Sequence, residues 1–273
     1  MEVPGRVCLV GGGKMGGALL ASWLGAGVSP ADVIVVEPDS AIAEDLTARF
    51  SVAVASDLLG HVVPEPPAVV VLAVKPQKMD AVIPAYAPFS GPATVFLSIA
   101  AGRTIASFAR GLGENSAIVR AMPNTPAAIG LGISVACAND RVSMAQLQLC
   151  DGLLAAAGEI AWVEDEALLD AVTAVSGSGP AYLFLFIECL AVAGERAGLS
   201  AGLARQLAYA TVRGSAELAH RSDESVETLR RNVTSPKGTT QAALDVLMAD
   251  DGLGALLERA ISAATTRSRE LAG

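Results

Sequence analysis

The stretch NVTSPKGTTQAAL, residues 232–244, lacks histidine, cysteine and carboxylate, the groups that most often do catalysis. It has instead four hydroxyl side chains, one lysine and a helix-like apolar pattern. Ser235 followed by Pro236 predicts a helix start, because serine caps helices and proline is favoured in the first turn. The first N–H groups of a helix have no partner within it, so with the hydroxyls they suit a small carboxylate. The alternative is a hydroxyl cluster that only caps a helix.

A second group is rich in glycine. VCLVGGGKMGGALL places Gly11, Gly13 and Gly16 in G-x-G-x-x-G spacing between an apolar run and a helix-like pattern. This spacing predicts a tight turn, a close approach of backbone to a pyrophosphate and close packing of helix on strand, as in dinucleotide-binding folds. Glu37 ends the next apolar run, where a carboxylate accepts from a ribose 2'-hydroxyl and repels a 2'-phosphate, which favours NADH over NADPH. The alternatives are a turn without a ligand and a solvated charge at a strand end.

Three further loops follow apolar runs: LAVKPQ, SIAAGRT and RAMPNTPAAIG. Pro76 ends a strand and leaves the backbone of residues 73–75 beside the cofactor, and the small residues 100–102 suit a flat nicotinamide ring. Asn124 either bonds a carboxamide or caps its own turn. The predicted cofactor residues are Gly11, Gly13, Lys14, Met15, Gly16, Glu37, Ala73, Val74, Lys75, Pro76, Ala100, Ala101, Gly102, Pro123 and Asn124.

The spacing of apolar residues, which indicates the helices and strands that would position these residues, changes along the chain. Apolar runs separated by helix-like stretches or loops predict a parallel sheet with strands at Val7–Val10, Val33–Val36, Val69–Val74, Thr94–Ile99 and Ile118–Ala121. From about residue 165 only helical periodicity remains, with start signals at Asp165, Ser200, Ser222 and Ser235 and a C-cap at Gly198. We therefore predict an α/β fold: a Rossmann-type dinucleotide-binding domain over residues 1–163, followed by an all-α domain over residues 164–273.

Composition narrows the possible partners. The net charge is -9 and no stretch concentrates lysine or arginine, which argues against nucleic acid and anionic membrane. The mean hydropathy of +0.49 is high for a soluble monomer and favours an extensive subunit interface.

The cysteines, the histidines, the N-terminus and one long apolar run give no sign of a further functional site. Cys8, Cys137, Cys150 and Cys189 are far apart and predict buried, reduced thiols in a cytosolic protein. The two histidines have no ligand spacing, which argues against a metal, and the N-terminus shows no signal-peptide pattern. The run AYLFLFIECLAVA is interrupted by Glu188; we expect it to be too short to span a bilayer and to form a buried helix.

Taken together, six motifs resemble those of the pyrroline-5-carboxylate reductase family, in the right order over nearly the whole chain: GGGKMGGAL, LAVKPQ, SIAAG, RAMPNTPA, AVSGSGPAYLFLFIECLA and NVTSPKGTT. The resemblance implies reduction of 1-pyrroline-5-carboxylate to L-proline with NADPH or NADH, the last step of proline biosynthesis. It also implies a Rossmann domain followed by a helical dimerisation and substrate-binding domain, and self-association through the helical domain. A cytoplasmic location is expected.

The resemblance also implies the substrate residues, which are Asp223, Val233, Ser235, Gly238, Thr239 and Thr240. We expect the Thr240 hydroxyl, as the catalytic group, to contact the ring nitrogen. A pyrroline nitrogen is basic enough to be largely protonated near neutral pH, so the reaction hardly needs another acid. The departure is Lys237, where the family usually has glycine in SPGGTT; it places the backbone conformation there in doubt and adds a cation near the carboxylate.

Two other functions have to be weighed. A β-hydroxyacid dehydrogenase also pairs a Rossmann domain with a helical one, but it needs a catalytic lysine shortly after a glycine-rich helix start, and after Gly179 the next lysine is Lys237. A sensor of nicotinamide redox state would keep the glycine motif without turnover. The motif SGSGPAY, residues 176–182, either walls the substrate pocket or tightens the dimer, or it only kinks a helix at Pro180.

Overall fold

The computed structural model describes residues 1–57 and 65–272. The chain divides into a first unit, which comprises Met1–Ser178 and the chain from Ala264 onward, and a second unit, Gly179–Ala263. The last strand ends at Trp162, next to the predicted domain boundary at residue 163. The compact units divide 15 residues later, between Ser178 and Gly179. The domain limits 1–163 and 164–273 stay a prediction.

The first unit is built on one sheet of eight strands in the order β3-β2-β1-β4-β5-β6-β7-β8. The strands up to β6 are parallel to their neighbours, β7 is antiparallel to β6, and β8 is parallel to β7. The order 3-2-1-4-5-6 is that of dinucleotide-binding folds, with the switch point between β1 and β4. Their bounds are β1 Val7–Val10, β2 Val33–Val36, β3 Ala53–Ala55, β4 Val69–Leu72, β5 Val95–Ser98, β6 Ala117–Met122, β7 Gly132–Ala138 and β8 Gly158–Trp162.

Helices cover both faces of this sheet. They are α1 Lys14–Gly25, α2 Ser40–Phe50, α3 Met79–Val82, α4 Ile105–Leu112, α5 Met144–Ala155 and α6 Leu168–Val172. Apolar residues of α1 and α5 pack on one face, and the Trp23 indole N–H donates to the Leu153 carbonyl at 2.8 Å. Residues of α3 and α4, including Phe108, pack on the other. Strands β1, β2, β4, β5 and β6 are therefore buried on both sides, which explains their nearly continuous apolar runs, whereas the edge strands β3 and β8 are partly exposed.

The second unit is helical. Its helices are α7 Gly179–Arg196, α8 Ala201–Arg221, α9 Val226–Asn232, α10 Thr239–Leu247 and the start of α11 Leu253–Ala272, which ends in the first unit. Two predicted signals are confirmed: Ser200 caps α8 by accepting from the Leu203 N–H, and Gly198 has a positive φ of 103°.

Three predicted helix starts are wrong. The start expected at Asp165 comes at Leu168, since the Asp165 carboxylate instead accepts from Ala167 in the preceding turn. Ser222 ends α8, and Ser225 caps the next helix. The third, at Ser235, belongs to the substrate segment described below.

Residues Leu168–Arg196 form one run of 29 helical residues. Within it, Thr173–Gly177 form a π-helical turn just before Pro180, and the Ser178 N–H donates to the Thr173 carbonyl at 2.8 Å. Because proline has no N–H, the regular ladder cannot continue there, and the wider turn absorbs the mismatch. An 18-residue window of this run has a mean hydropathy of 1.5, and by length and composition alone the run could cross a bilayer, so the expectation that it is too short is wrong.

The apolar helix α7 is not buried within the chain, contrary to the prediction. No residue of α7 is buried, and Cys189 on it is exposed, whereas Cys8, Cys137 and Cys150 are buried. Burial raises the pKa of the Cys8 and Cys150 thiols to about 12, so these two cysteines stay protonated. The second unit exposes many large apolar side chains, among them Leu183, Phe184, Leu185, Phe186, Leu190, Val192, Leu203, Leu207, Tyr209, Val246, Leu247 and Leu256. Such a surface is typical of an interface.

Candidate active site

The glycine loop lies at the switch point of the sheet. Gly11 follows β1 with a positive φ of 97°, and a Cβ placed on it would lie 3.0 Å from the Ala73 backbone and from a Val74 methyl. A Cβ on Gly16 would lie 2.1 Å from the Gly11 carbonyl oxygen. The conformational roles predicted for these two glycines, a tight turn and close packing of helix on strand, are thereby confirmed.

Gly13 differs, since a Cβ on it would meet no atom within 4 Å. It is the N-cap of α1, no side chain caps the helix there, and the first helical bond runs from the Gly17 N–H to the Gly13 carbonyl. Lys14 and Met15 form the first turn. The loop thus offers open space beside uncapped N–H groups at a helix N-terminus, which fits the pyrophosphate of a dinucleotide.

Glu37 is buried at the end of β2 and fastens this loop. Its Oε2 accepts from the Gly12 N–H at 2.8 Å, and its Oε1 accepts from the Asp39 N–H at 3.0 Å. A Cβ on Gly12 would lie 2.3 Å from a Leu46 methyl, so a larger residue there would require the buried Leu46 side chain to move. This role of Gly12 was not predicted, although the middle glycine of GGG, which the G-x-G-x-x-G spacing does not require, was an available signal.

The other predicted cofactor residues follow strands at the same carboxyl edge. The Ala73 N–H donates to the Val10 carbonyl, and Lys75 and Pro76 lead into a short 3-10 turn. Ala100 and Ala101 precede Gly102, whose φ is +65°, and Pro123 follows β6. The structure thus places Gly11 against residues 73 and 74 and the remaining loops along one edge.

Of the two roles considered for Asn124, capping of its own turn is wrong: the residue is the N-cap of the 3-10 turn Thr125–Ile129, but its side chain makes no capping hydrogen bond. The Asn124 side chain is buried, and its Oδ1 accepts from the Ile133 N–H at 2.9 Å, which ties the loop to β7. Contact of this residue with a carboxamide stays a prediction.

A charged pair beneath these loops was not predicted. Arg120 on β6 is 3% exposed, and its Nη1 lies 2.9 Å from the Glu166 Oε1. The same oxygen accepts from the Ile105 N–H at 2.8 Å, at the start of α4. One carboxylate therefore joins β6, the loop after Gly102 and the segment that leads into α6.

The predicted substrate residues lie in the second unit. Asp223 is exposed after α8, and Val233 is the exposed C-cap of α9. The Gly238 N–H donates to the Ser235 carbonyl at 2.9 Å, which closes a turn, and α10 begins at Thr239 with Gly238 as its N-cap and no side-chain cap. The predicted helix start, with Ser235 as the N-cap, is therefore wrong by three residues. The uncapped donors belong to the first turn of α10, which contains Thr239 and Thr240.

Lys237 has a φ of +60°, in the left-handed region where glycine is unstrained. A side chain in that region costs about 1 kcal/mol relative to glycine. The backbone conformation thus suits the glycine that Lys237 replaces. No carboxylate lies within 4 Å of its ammonium in the part of the chain that the structure describes. Over residues 1–57 and 65–272 no group of His, Cys, Asp and Glu side chains could hold a metal ion.

The fold and the glycine loop define a dinucleotide-dependent oxidoreductase. The family described as NADP oxidoreductase, coenzyme F420-dependent, matches residues 6–102, and the family described as pyrroline-5-carboxylate reductase dimerisation matches residues 166–271. The chain is 42% identical over 272 residues to the pyrroline-5-carboxylate reductase of Pseudomonas aeruginosa, which covers 100% of this chain and 98% of that protein. The chain belongs to the pyrroline-5-carboxylate reductase family.

Solved structures agree with this assignment. The pyrroline-5-carboxylate reductase of Coxiella burnetii superposes with a TM-score of 0.92 at 33% identity and covers 99% of this chain and 100% of that one. The pyrroline carboxylate reductase of Plasmodium falciparum with NADP bound gives a TM-score of 0.85 at 28% identity and covers 99% of both chains. The predicted fold class, a Rossmann-type domain followed by an all-α dimerisation domain, is confirmed.

Proposed function

We propose that this chain reduces 1-pyrroline-5-carboxylate to L-proline by hydride transfer from NADH or NADPH, the final step of proline biosynthesis. The full-length identity to relatives that carry this name is the observation that supports the proposal most directly. The test is loss of nicotinamide absorbance when purified protein, reduced cofactor and the imine are mixed, together with formation of L-proline. Binding of NADH without turnover would instead favour the redox sensor.

The predicted site residues would bind the cofactor in the first unit and orient the substrate at the start of α10. The nicotinamide supplies the hydride when it is bound. The open backbone at Gly13 and the uncapped start of α1 would hold the pyrophosphate, and the loops after β4, β5 and β6 would line the nicotinamide. The uncapped start of α10 would anchor the substrate carboxylate and so fix the ring. Because the imine arrives protonated, no carboxylate or histidine has to act on it.

Thr240→Ala tests the substrate segment. The Thr240 hydroxyl stands in the first turn of α10, and we propose that it contacts the ring nitrogen. Its loss is expected to lower kcat/KM for the imine by roughly 10- to 100-fold while the Kd for NADH stays near wild type. Steady-state kinetics with the imine varied measure this, and Thr240→Ser, which keeps the hydroxyl, is the control. An unchanged rate for the alanine variant would remove Thr240 from the mechanism.

Cofactor preference follows from Glu37. Its carboxylate is held by two backbone N–H groups, and no lysine or arginine occurs between residues 29 and 48 to neutralise a 2'-phosphate. We expect kcat/KM to be higher with NADH than with NADPH by roughly tenfold, because two like charges repel at short range. The NADP complex of the Plasmodium protein is a reason to measure both cofactors.

The measurement compares both cofactors at fixed imine concentration in wild type, Glu37→Gln and Asp39→Asn. Glu37→Gln should narrow the difference, whereas Asp39→Asn, a change at the exposed cap of α2, should not. Equal efficiencies with the two cofactors in wild type would contradict the proposed role of Glu37.

The apolar surface of the second unit supports self-association through the helical domain, with residues 164–273 serving dimerisation and substrate binding. The exposed helices α7 and α8 would be covered by a second copy. We also propose a cytoplasmic location with reduced cysteines and no nucleic-acid or membrane partner, since the surplus charge is negative.

A further inference from the structure

The last turns of α11 return to the first unit and pack beside a predicted nicotinamide loop. A Cβ placed on Gly102 would lie 2.9 Å from the Leu271 Cβ and 3.3 Å from the Leu271 carbonyl carbon. Gly102 is buried and has a φ of +65°, so the chain turns sharply at the point where Leu271 lies against it. The contact leaves no room for a methyl group and restricts the path of residues 100–102.

A buried hydrogen bond anchors this end of α11. Ser268 is 4% exposed, and its hydroxyl donates to the Asp170 Oδ1 on α6 at 2.6 Å. The Arg269 Nε lies 3.9 Å from the other carboxylate oxygen, and the Asp170 side chain is 14% exposed. A hydrogen bond to a charged, largely buried acceptor is stronger than a neutral one, so it fixes the rotation of α11 one turn before Leu271.

The other side of the same loop is held independently. The Ala100 N–H donates to the Ser98 hydroxyl at 3.2 Å, and the Arg103 guanidinium pairs with Asp80. These bonds hold the residues before and after Gly102. The last turn of α11, through Leu271, restricts movement of Gly102 itself.

We infer that Ser268 and Leu271 are positioning residues for the nicotinamide half of the cofactor. They act through Gly102, and the inference rests on the proposed function in assigning residues 100–102 to the nicotinamide. It gives the C-terminus a part in hydride transfer, although neither residue would touch a reacting atom. Without them the loop relaxes, and the nicotinamide loses orientation while the adenosine half of the site is unaffected.

The test compares NADH with ADP-ribose, which lacks the nicotinamide. In Ser268→Ala and in Leu271→Gly, which removes the Cβ that lies against Gly102, the Kd for NADH is expected to rise and kcat to fall, each by about fivefold, while the Ki of ADP-ribose stays at the wild-type value. Ser268→Thr, which keeps the hydroxyl, should restore wild-type values. Ser262→Ala removes an exposed serine from the same helix and should change nothing.

Equal shifts for NADH and ADP-ribose would overturn the inference, because they would indicate a general loss of structure. Unchanged NADH binding and kcat in either Ser268→Ala or Leu271→Gly would overturn it as well. Binding of the two nucleotides is measured by fluorescence titration and competition without the imine. A wild-type protein that binds NADH but does not reduce the imine would therefore refute the proposed function and leave this inference testable.

Discussion

Replacing Arg120 with alanine is expected to lower the free energy of unfolding of the first unit by about 3 kcal/mol. The substitution would leave the Glu166 carboxylate, 27% exposed, without the guanidinium that lies 2.9 Å away. It also leaves a cavity beneath the sheet edge where Arg120 is 3% exposed. The estimate lies at the low end for a broken buried pair because Glu166 keeps some contact with water.

Urea unfolding followed by circular dichroism measures this change. Arg141→Ala, which removes an exposed arginine, is the matched control and should unfold at the wild-type midpoint. Arg120→Met combined with Glu166→Leu should recover much of the loss, since no charge is then left unpaired. A single alanine variant within about 0.5 kcal/mol of wild type would show that the pair contributes little.

Gly16→Ala and Gly13→Ala are expected to separate the two tasks of the glycine loop. The Gly16 methyl would lie 2.1 Å from the Gly11 carbonyl oxygen, so α1 has to move off β1, at a cost of about 3 kcal/mol and with loss of NADH binding. The Gly13 methyl meets no protein atom within 4 Å, so the free energy of unfolding should fall by only about 0.5–1 kcal/mol, the usual cost of alanine in place of glycine at a helix N-cap. NADH binding should nonetheless weaken at least about tenfold, because the methyl occupies the space proposed for the pyrophosphate.

Thermal unfolding and NADH titration of both variants test these expectations. Gly17→Ala is the control, because its methyl would lie at an ordinary contact distance from its neighbours. Wild-type affinity for NADH in Gly13→Ala would mean that the pyrophosphate lies elsewhere.

The local features of the site could be predicted from the sequence. A glycine at a sharp turn, a strand ended by Glu37 and a serine cap at Ser200 depend on a few neighbouring residues, and the structure has all three. The five predicted strands are present: β1 and β2 have the predicted ends, and the ends of the other three differ by one or two residues. Three strands were missed: β3 is only three residues long, and GISVACA of β7 and GEIAW of β8 contain small or half-exposed residues and show no plain alternation.

What depends on distant partners was not predictable. Arg120 and Glu166 are 46 positions apart and meet only once the sheet has formed, and the contact of Gly102 with Leu271 spans most of the chain. The apolar helix α7 was predicted correctly as a helix but wrongly as buried, because an apolar pattern does not distinguish a core from a surface between subunits. The position of the α10 start was misjudged because serine and proline favour a turn as readily as a helix.

The second unit buries very few apolar side chains, and this affects how the chain folds. Among its described residues the only buried hydrophobic side chains are those of Ala204 and Ala208. Helices α7 and α8 pack against each other, but a unit that buries so little apolar surface gains little from the hydrophobic effect, so we expect its five helices to be fully stable only when another copy covers their apolar faces. The fraction of fully folded protein would then depend on the chain concentration. Dilution would favour a partly folded monomer, and newly made chains would fold faster as their concentration rises.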